Sequence, residues 1–144
     1  MPLAFRSLTT KVSDPVTEWP TEAVQTALER GDLHDWHRLA AMIDREPWGR
    51  TARQVEEVLG HARPYGVAEA MEAVIARARE RAQRRERKAV ATEVRRIVDR
   101  SGLTQAEFAA RIGTSPSRLS TYVTGRVVPS ATLLVRMRRL AAGG

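Results

Sequence analysis

The chain contains no cysteine. That excludes a disulfide framework, a zinc finger and a CxxC site, and it suits a reducing cytoplasm. No apolar run approaches the ~20 residues of a membrane span. The N-terminus lacks a positively charged start followed by an apolar core, so neither membrane insertion nor a signal peptide is expected. The nine glycines form no loop able to cradle a phosphate. There is no H-E-x-x-H. His34-x-x-His37 puts two imidazoles on adjacent turns, but a metal site needs further ligands held in place. These two and His61 read as surface histidines. Serines and threonines cluster where helix caps are needed, with no histidine nearby in sequence to activate them. No metal, no cofactor and no catalytic residue is expected, and nothing asks for an enzyme.

What is present is charge, unevenly placed. The 144 residues suffice for one ordinary domain or two small ones and carry a net charge of +7. Residues 1–76 hold 8 Lys and Arg against 12 Asp and Glu, whereas residues 77–144 hold 16 against 5. A basic half is the electrostatic footprint of a nucleic-acid binder. The acidic half is expected to meet something else. Of the 24 basic residues 22 are Arg, which with abundant Ala fits a GC-rich bacterial genome.

From Met1 to Trp19 no periodicity is sustained, and Thr9, Thr10, Ser13, Asp14 and Pro15 read as turn or loop. Residues 1–18 are expected to form a flexible arm. Insertion in a DNA groove is the alternative, with Arg6 and Lys11 as its only positive charges. A first helix is predicted over Thr21–Arg30, with Val24 and Leu28 inward and Gly31 as its stop. Asp32 caps a second over Leu33–Arg45, where Leu33, Trp36, Leu39, Ala40 and Ile43 make a stripe. A third covers Thr51–His61. Residues 19–76 thus form a small helical domain for dimerisation or partner binding. Trp36 and Trp48 are its expected core anchors, or one of them is an exposed hot spot.

From Val67 to Ser101 neither Gly nor Pro interrupts a helical pattern. Val67, Met71, Val74, Ile75 and Ala78 keep one apolar seam, and Val90, Val94, Ile97 and Val98 resume one. Between them residues 77–88 are polar almost all round, as in a solvent-bridging connector. One continuous helix would reach ~50 Å; a break near Lys88 is the alternative. The charge run reads as a solvated face with pairs such as Glu80–Arg84, or as a track for phosphates. Near the end, Ser130 caps a last helix over Ala131–Ala141, followed by a frayed tail, Ala142–Gly144.

The stretch Leu103–Arg126 is the most informative. Thr104 is a good N-cap, and Glu107 three residues on completes the capping-box pattern. Phe108, Ala109 and Ile112 share one helical face before Gly113, where a helix often ends at positive φ. Thr114 or Ser115 can cap the next helix, and Pro116 suits its first turn. Leu119, Tyr122 and Val123 give that helix an apolar side, and Gly125 can close it. Two short helices about a glycine-bearing turn are a helix-turn-helix.

The pattern of Leu103-Thr104-Gln105, Phe108-Ala109, Ile112-Gly113-Thr114-Ser115, Leu119-Ser120, Tyr122 and Gly125-Arg126 resembles the Cro/cI-type (XRE) family of phage and bacterial repressors. The resemblance covers roughly Ala89 to Ala142. It implies an all-α fold with a C-terminal lambda-repressor-like domain at residues 89–144. It also implies a sequence-specific double-stranded DNA-binding bacterial transcriptional regulator, a repressor or autorepressor. In the family the first motif helix crosses the backbone and the second lies in the major groove. Gln105 would then donate to a phosphate, and Ser115, Pro116, Ser117, Arg118 and Thr121 would form the exposed side of the recognition helix. Ser117 and Thr121 match base-facing positions. Arg118 can reach a guanine edge or a phosphate, and Arg126 matches a phosphate contact.

Two departures from the family pattern matter. An Arg–Glu pair common in the family falls at Val98 and Val123, a change of both partners to apolar that is about neutral for stability. The family's fifth helix, a frequent source of dimer contacts, has no counterpart after the fourth. A homodimer on a two-fold operator would therefore use the N-terminal helices, the connector or a partner. The charge division also suits an antitoxin, with residues 19–76 neutralising a toxin and the C-terminal domain repressing the shared operon.

Overall fold

The computed structural model describes residues 3–5 and 8–143. Among them the chain is all-helical, without a strand. The helices are α1 (Thr21–Arg30), α2 (Leu33–Arg45), α3 (Arg50–Leu59), α4 (Val67–Ser101), α5 (Gln105–Ile112), α6 (Pro116–Thr124) and α7 (Ala131–Gly143). A 3₁₀ turn at Val16–Glu18 precedes α1. None of the described helices is long and apolar enough to cross a membrane. The chain divides into two compact units, Met1–Ala82 and Gln83–Gly144.

The first unit packs α1, α2, α3 and the start of α4 around Trp19, which is completely buried. Its indole N–H donates to the Asp14 carbonyl at 3.1 Å, and the Gln54 amide donates to its own carbonyl at 2.8 Å. Phe5 meets the ring edge-on at 5.2 Å, and the Arg38 guanidinium lies 4.8 Å over it. The expected anchors differ from this. Trp36 is half-buried, with its N–H on the Ala27 carbonyl at 2.9 Å, and Trp48 is 47% exposed. Trp19 takes the centre where the chain turns into α1, in reach of Arg38 of α2 and Gln54 of α3.

The segment expected as an arm lies on this core. Leu3, Phe5, Leu8 and Val12 pack against it, and Val16 is buried. Arg38 fastens the segment by donating to the Val12 and Asp14 carbonyls at 2.7 and 2.9 Å. Phe5, Leu8, Val12 and Val16 stand three and four residues apart, yet the described part of the segment forms no α-helix, so that spacing did not mark them as covered. Arg6 and the tail residue Gly144 lie outside the described residues.

The capping of α2 goes further than expected. Asp32 accepts from the backbone N–H groups of His34 and Asp35, while the buried Asp35 carboxylate accepts from the Asp32 N–H, a complete capping box. The backbone hydrogen bond from Asp35 holds the Asp32 carboxyl below its usual range. Helix α3 ends at Leu59, two residues short of the expected His61, where the Gly60 and His61 N–H groups turn to carbonyls three residues back, Glu57 and Val58, at 3.2 and 3.1 Å.

Helix α4 runs unbroken over 35 residues. Ala68, Met71, Ile75 and Ala78 belong to the first core, and Val94, Ile97 and Val98 to the second. Residues 83–89 between them are exposed. They stay helical because Gln, Arg, Glu, Lys and Ala are all strong helix formers. The connector begins later than the charge pattern suggests. Arg79 donates to the Pro47 carbonyl at 2.9 Å and grips both Glu56 oxygens, and Arg81 pairs with Asp44. Residues 77–82 therefore belong to the first unit.

Candidate nucleic-acid interface

Residues 83–144 carry 13 Lys and Arg against 4 Asp and Glu. Their core is Val94, Ile97, Val98, Phe108, Ala109, Ile112, Leu119, Tyr122 and Met137, with Val123 packed against it. Val98 and Val123 thus lie in or on an apolar core, where an unpaired charge would be costly to hold.

Helix α5 begins under Thr104, whose hydroxyl accepts from the Glu107 N–H at 3.2 Å and donates to the Glu107 carboxylate at 2.9 Å. The glutamate meets the threonine hydroxyl rather than its backbone N–H. The capping-box pattern is therefore realised on one side only. Gln105, the first residue of α5, is exposed. Gly113 ends the helix at φ +80°, with the Thr114 N–H reaching back to the Ala109 carbonyl at 2.9 Å. A Cβ there would meet nothing nearer than Arg136 Nη1 at 3.6 Å. Backbone conformation, rather than space, requires the glycine.

Ser115 caps α6, its hydroxyl accepting from the Arg118 N–H at 3.1 Å, and Pro116 opens the helix. With Leu119 and Tyr122 buried, α6 shows Ser115, Pro116, Ser117 and Arg118 to the outside. Thr121 is half-buried and donates its hydroxyl proton to the Arg118 carbonyl at 2.6 Å. Its oxygen keeps acceptor capacity, and its methyl group remains available. Beyond the helix, Gly125 sits at φ +81° and the exposed Arg126 follows. Arg118 and Arg126 have no ion-pair partner among the described residues. The predicted set is thus brought to one end of α5 and along α6 with its loop. Thr121 is the most covered of the seven.

Two arginines that sequence reasoning passed over hold this geometry. Arg136 of α7 donates to the Ile112 carbonyl at 2.7 Å, and Arg95 of α4 donates to the Val123 carbonyl at 2.6 Å. Each places a cation at the C-terminus of a motif helix, where the carbonyl dipoles favour it. Arg138 joins α7 to Glu93 of α4 at 2.6 and 2.9 Å. Their spacing from α5 and α6 is long-range, so no local pattern in the sequence marks them.

Residues 73–142 match the family model of a helix-turn-helix domain. The match ends where the sequence resemblance ends and begins sixteen residues earlier than Ala89, inside α4. No curated protein and no solved structure gives a match to the chain. The C-terminal part of the chain is a helix-turn-helix domain, and a DNA-binding role is what such a domain suggests.

Proposed function

We propose that the chain is a sequence-specific double-stranded DNA-binding transcriptional regulator of the Cro/cI (XRE) type, a repressor or autorepressor in a bacterial cytoplasm, without enzymatic activity. The observation that carries this reading is the outward side of α6. Ser115, Pro116, Ser117 and Arg118 stand exposed on a capped helix within a strongly basic unit. Gln105 and Arg126 bind phosphates and set the register, which carries affinity without sequence information. Arg118 forks onto a guanine edge, and Ser117 and Thr121 make short contacts beside it. A homodimer places two such helices on half-sites one helical turn apart, ~34–36 Å.

The test is a titration of the full chain with a duplex from its own promoter and with a scrambled duplex, over a range of salt. Specific binding should exceed non-specific binding by about 10³ or more. Equal affinity for the two duplexes would sink the reading.

A second reading, an antitoxin, is favoured by one feature of the first unit. A groove of about 470 Å³ between α2 and the start of α4 is lined by Leu33, Trp36, Ala40, Tyr65, Val67 and Val74. Leu33 is 61% exposed and Tyr65 fully so. Exposed apolar side chains of this size suit a protein partner. A full-length Arg118→Ala variant, weakened in operator binding, should still neutralise a toxin encoded beside it. Growth arrest unrelieved by that variant and by the unmodified chain alike excludes this reading.

A further inference from the structure

The charged stretch of α4 passes directly beside the end of the recognition helix. A Cβ on Gly125 would stand 3.4 Å from the Ala91 Cβ and 3.9 Å from the Arg87 carbonyl. One turn further along α4, Arg95 donates to the Val123 carbonyl in the last turn of α6. Residues three and four apart share a helix face. Arg87 and Lys88 therefore lie on the side of α4 that carries Ala91 and Arg95, next to the loop that presents Arg126. All three cations are exposed, and among the described residues none of them makes an ion pair. The acidic residues of this stretch do not cancel them. Glu86 is five positions before Ala91, which sets it well round the helix, and Glu93 is taken up by Arg138.

We propose that Arg87 and Lys88 of α4, with Arg126, form a second phosphate-contact surface that extends the DNA footprint beyond the helix-turn-helix. This rests on the DNA-binding reading above. It assigns a ligand, the sugar-phosphate backbone, to a stretch whose polarity otherwise describes only a solvated helix. Duplex DNA presents one negative charge per ≈1.7 Å of axis, and each phosphate neutralised releases counterions. A helix that stays unbroken and cationic through residues 83–89 adds such contacts without adding base readout. The close approach of the Gly125 backbone to Ala91, with the Arg95 bond to the Val123 carbonyl, places Arg87 and Lys88 beside the end of α6, so they are preorganised for backbone flanking the bases that α6 reads.

The experiment uses the full chain and a 30-base-pair promoter duplex, with an unrelated duplex of equal length. Arg87→Gln/Lys88→Gln keeps good helix formers at both positions, and circular dichroism with thermal melting verifies that folding is unchanged. The slope of log affinity against log salt should become shallower by about 0.9 per lost contact, about 1.8 for the pair. Affinity at 0.1 M salt should fall on the order of tenfold to a hundredfold on both duplexes, leaving their ratio unchanged. Arg139→Gln is the control for net charge, since Arg139 is exposed on the side of α7 away from the buried Met137. A wild-type slope in the double variant overturns the proposal and leaves the DNA-binding reading standing. An Arg139→Gln effect equal to half that of the pair also overturns it, because charge would then act diffusely. Failure of the unmodified chain to bind either duplex removes the DNA-binding reading itself.

Discussion

The two units use arginine in opposite ways. In the first, Arg38, Arg50 and Arg79 donate to carbonyls outside the α-helices, at Val12, Asp14, Thr17 and Pro47. They tie irregular segments to helices. In the second, Arg95 and Arg136 donate to the ends of helices that are already locally specified. The first unit is thus held by long-range bonds around one buried tryptophan, and the second by caps and left-handed glycines. Local capping reinforced by C-terminal cations fixes the helix on which the proposed DNA contacts depend. In the first unit a fastened N-terminal segment completes the core.

The sharpest way to break this comparison is to empty each core in turn. All three tryptophans lie in the first unit, so their fluorescence reports on that unit alone. Trp19→Ala should destabilise it by about 3–5 kcal/mol, read as an earlier fluorescence transition in denaturant. Phe108→Ala, equally buried, should cost the second unit a similar amount and abolish specific DNA binding. It should leave the midpoint of the tryptophan transition in place. A shift of that midpoint by Phe108→Ala would show that the units do not fold independently.

Next in size is the contrast within the interface. Arg118→Ala should cost about 1–3 kcal/mol of operator binding and relax specificity at one base pair if the guanidinium reads a base. Arg126→Ala should weaken binding to all sequences alike and lower the salt slope by about one. A competition binding assay over a set of single-base operator variants separates the two. A uniform loss for Arg118→Ala would move it to the phosphate class.

These differences also explain what could be read from the chain before folding. The helices of the second unit were legible nearly to the residue, because Thr104, Gly113, Ser115, Pro116 and Gly125 act within a turn of where they stand. The continuity of α4 was legible for the same reason, since nothing within it breaks a helix. The role of Trp19 was not, nor was the seating of Leu3, Phe5 and Leu8. Two of the partners of Trp19, Arg38 and Gln54, are 19 and 35 residues away, and apolar spacing in a segment that forms no α-helix gives no sign of what covers it. In the interface, the exposed residues of α6 followed from the family resemblance. The bond from Thr121 to the Arg118 carbonyl and the caps from Arg95 and Arg136 did not, because they depend on rotamers and on helix packing.

Gly113→Ala tests whether local conformation really governs the second unit. The site is open, so the added methyl meets no obstacle within 3.6 Å. The cost is that of an L-residue in the left-handed region, about 1–2 kcal/mol. Thermal melting of the second unit, followed by circular dichroism, should register it. A Gly113→Asn variant should recover part of the loss, because asparagine tolerates this conformation better. Equal stability of the alanine variant and the wild type would mean that the turn can adopt another shape.

The smallest effect concerns acid, and it belongs to the first unit. Glu56 accepts both Arg79 hydrogen bonds, at 2.7 and 2.9 Å, and these bonds hold its carboxyl below the usual glutamate range. A carboxyl lowered on folding contributes stability above its unfolded value, about 4.3, and that contribution disappears as pH falls through the lowered folded value. The side chain of Glu56 is 46% exposed, so solvent screening keeps the contribution to a few tenths of a kcal/mol. Glu56→Gln should therefore be slightly less stable than wild type at pH 7, and the gap should close below about pH 4. Tryptophan-detected denaturation at the two pH values measures it. DNA affinity near neutral pH should be the same for both proteins, because Glu56 and Arg79 lie outside the unit that carries the proposed DNA contacts. If Glu56→Gln instead weakens operator binding at pH 7, the division of labour between the two units is wrong. A gap that persists unchanged into acid would show that Glu56 acts through packing against Arg79 rather than through its charge.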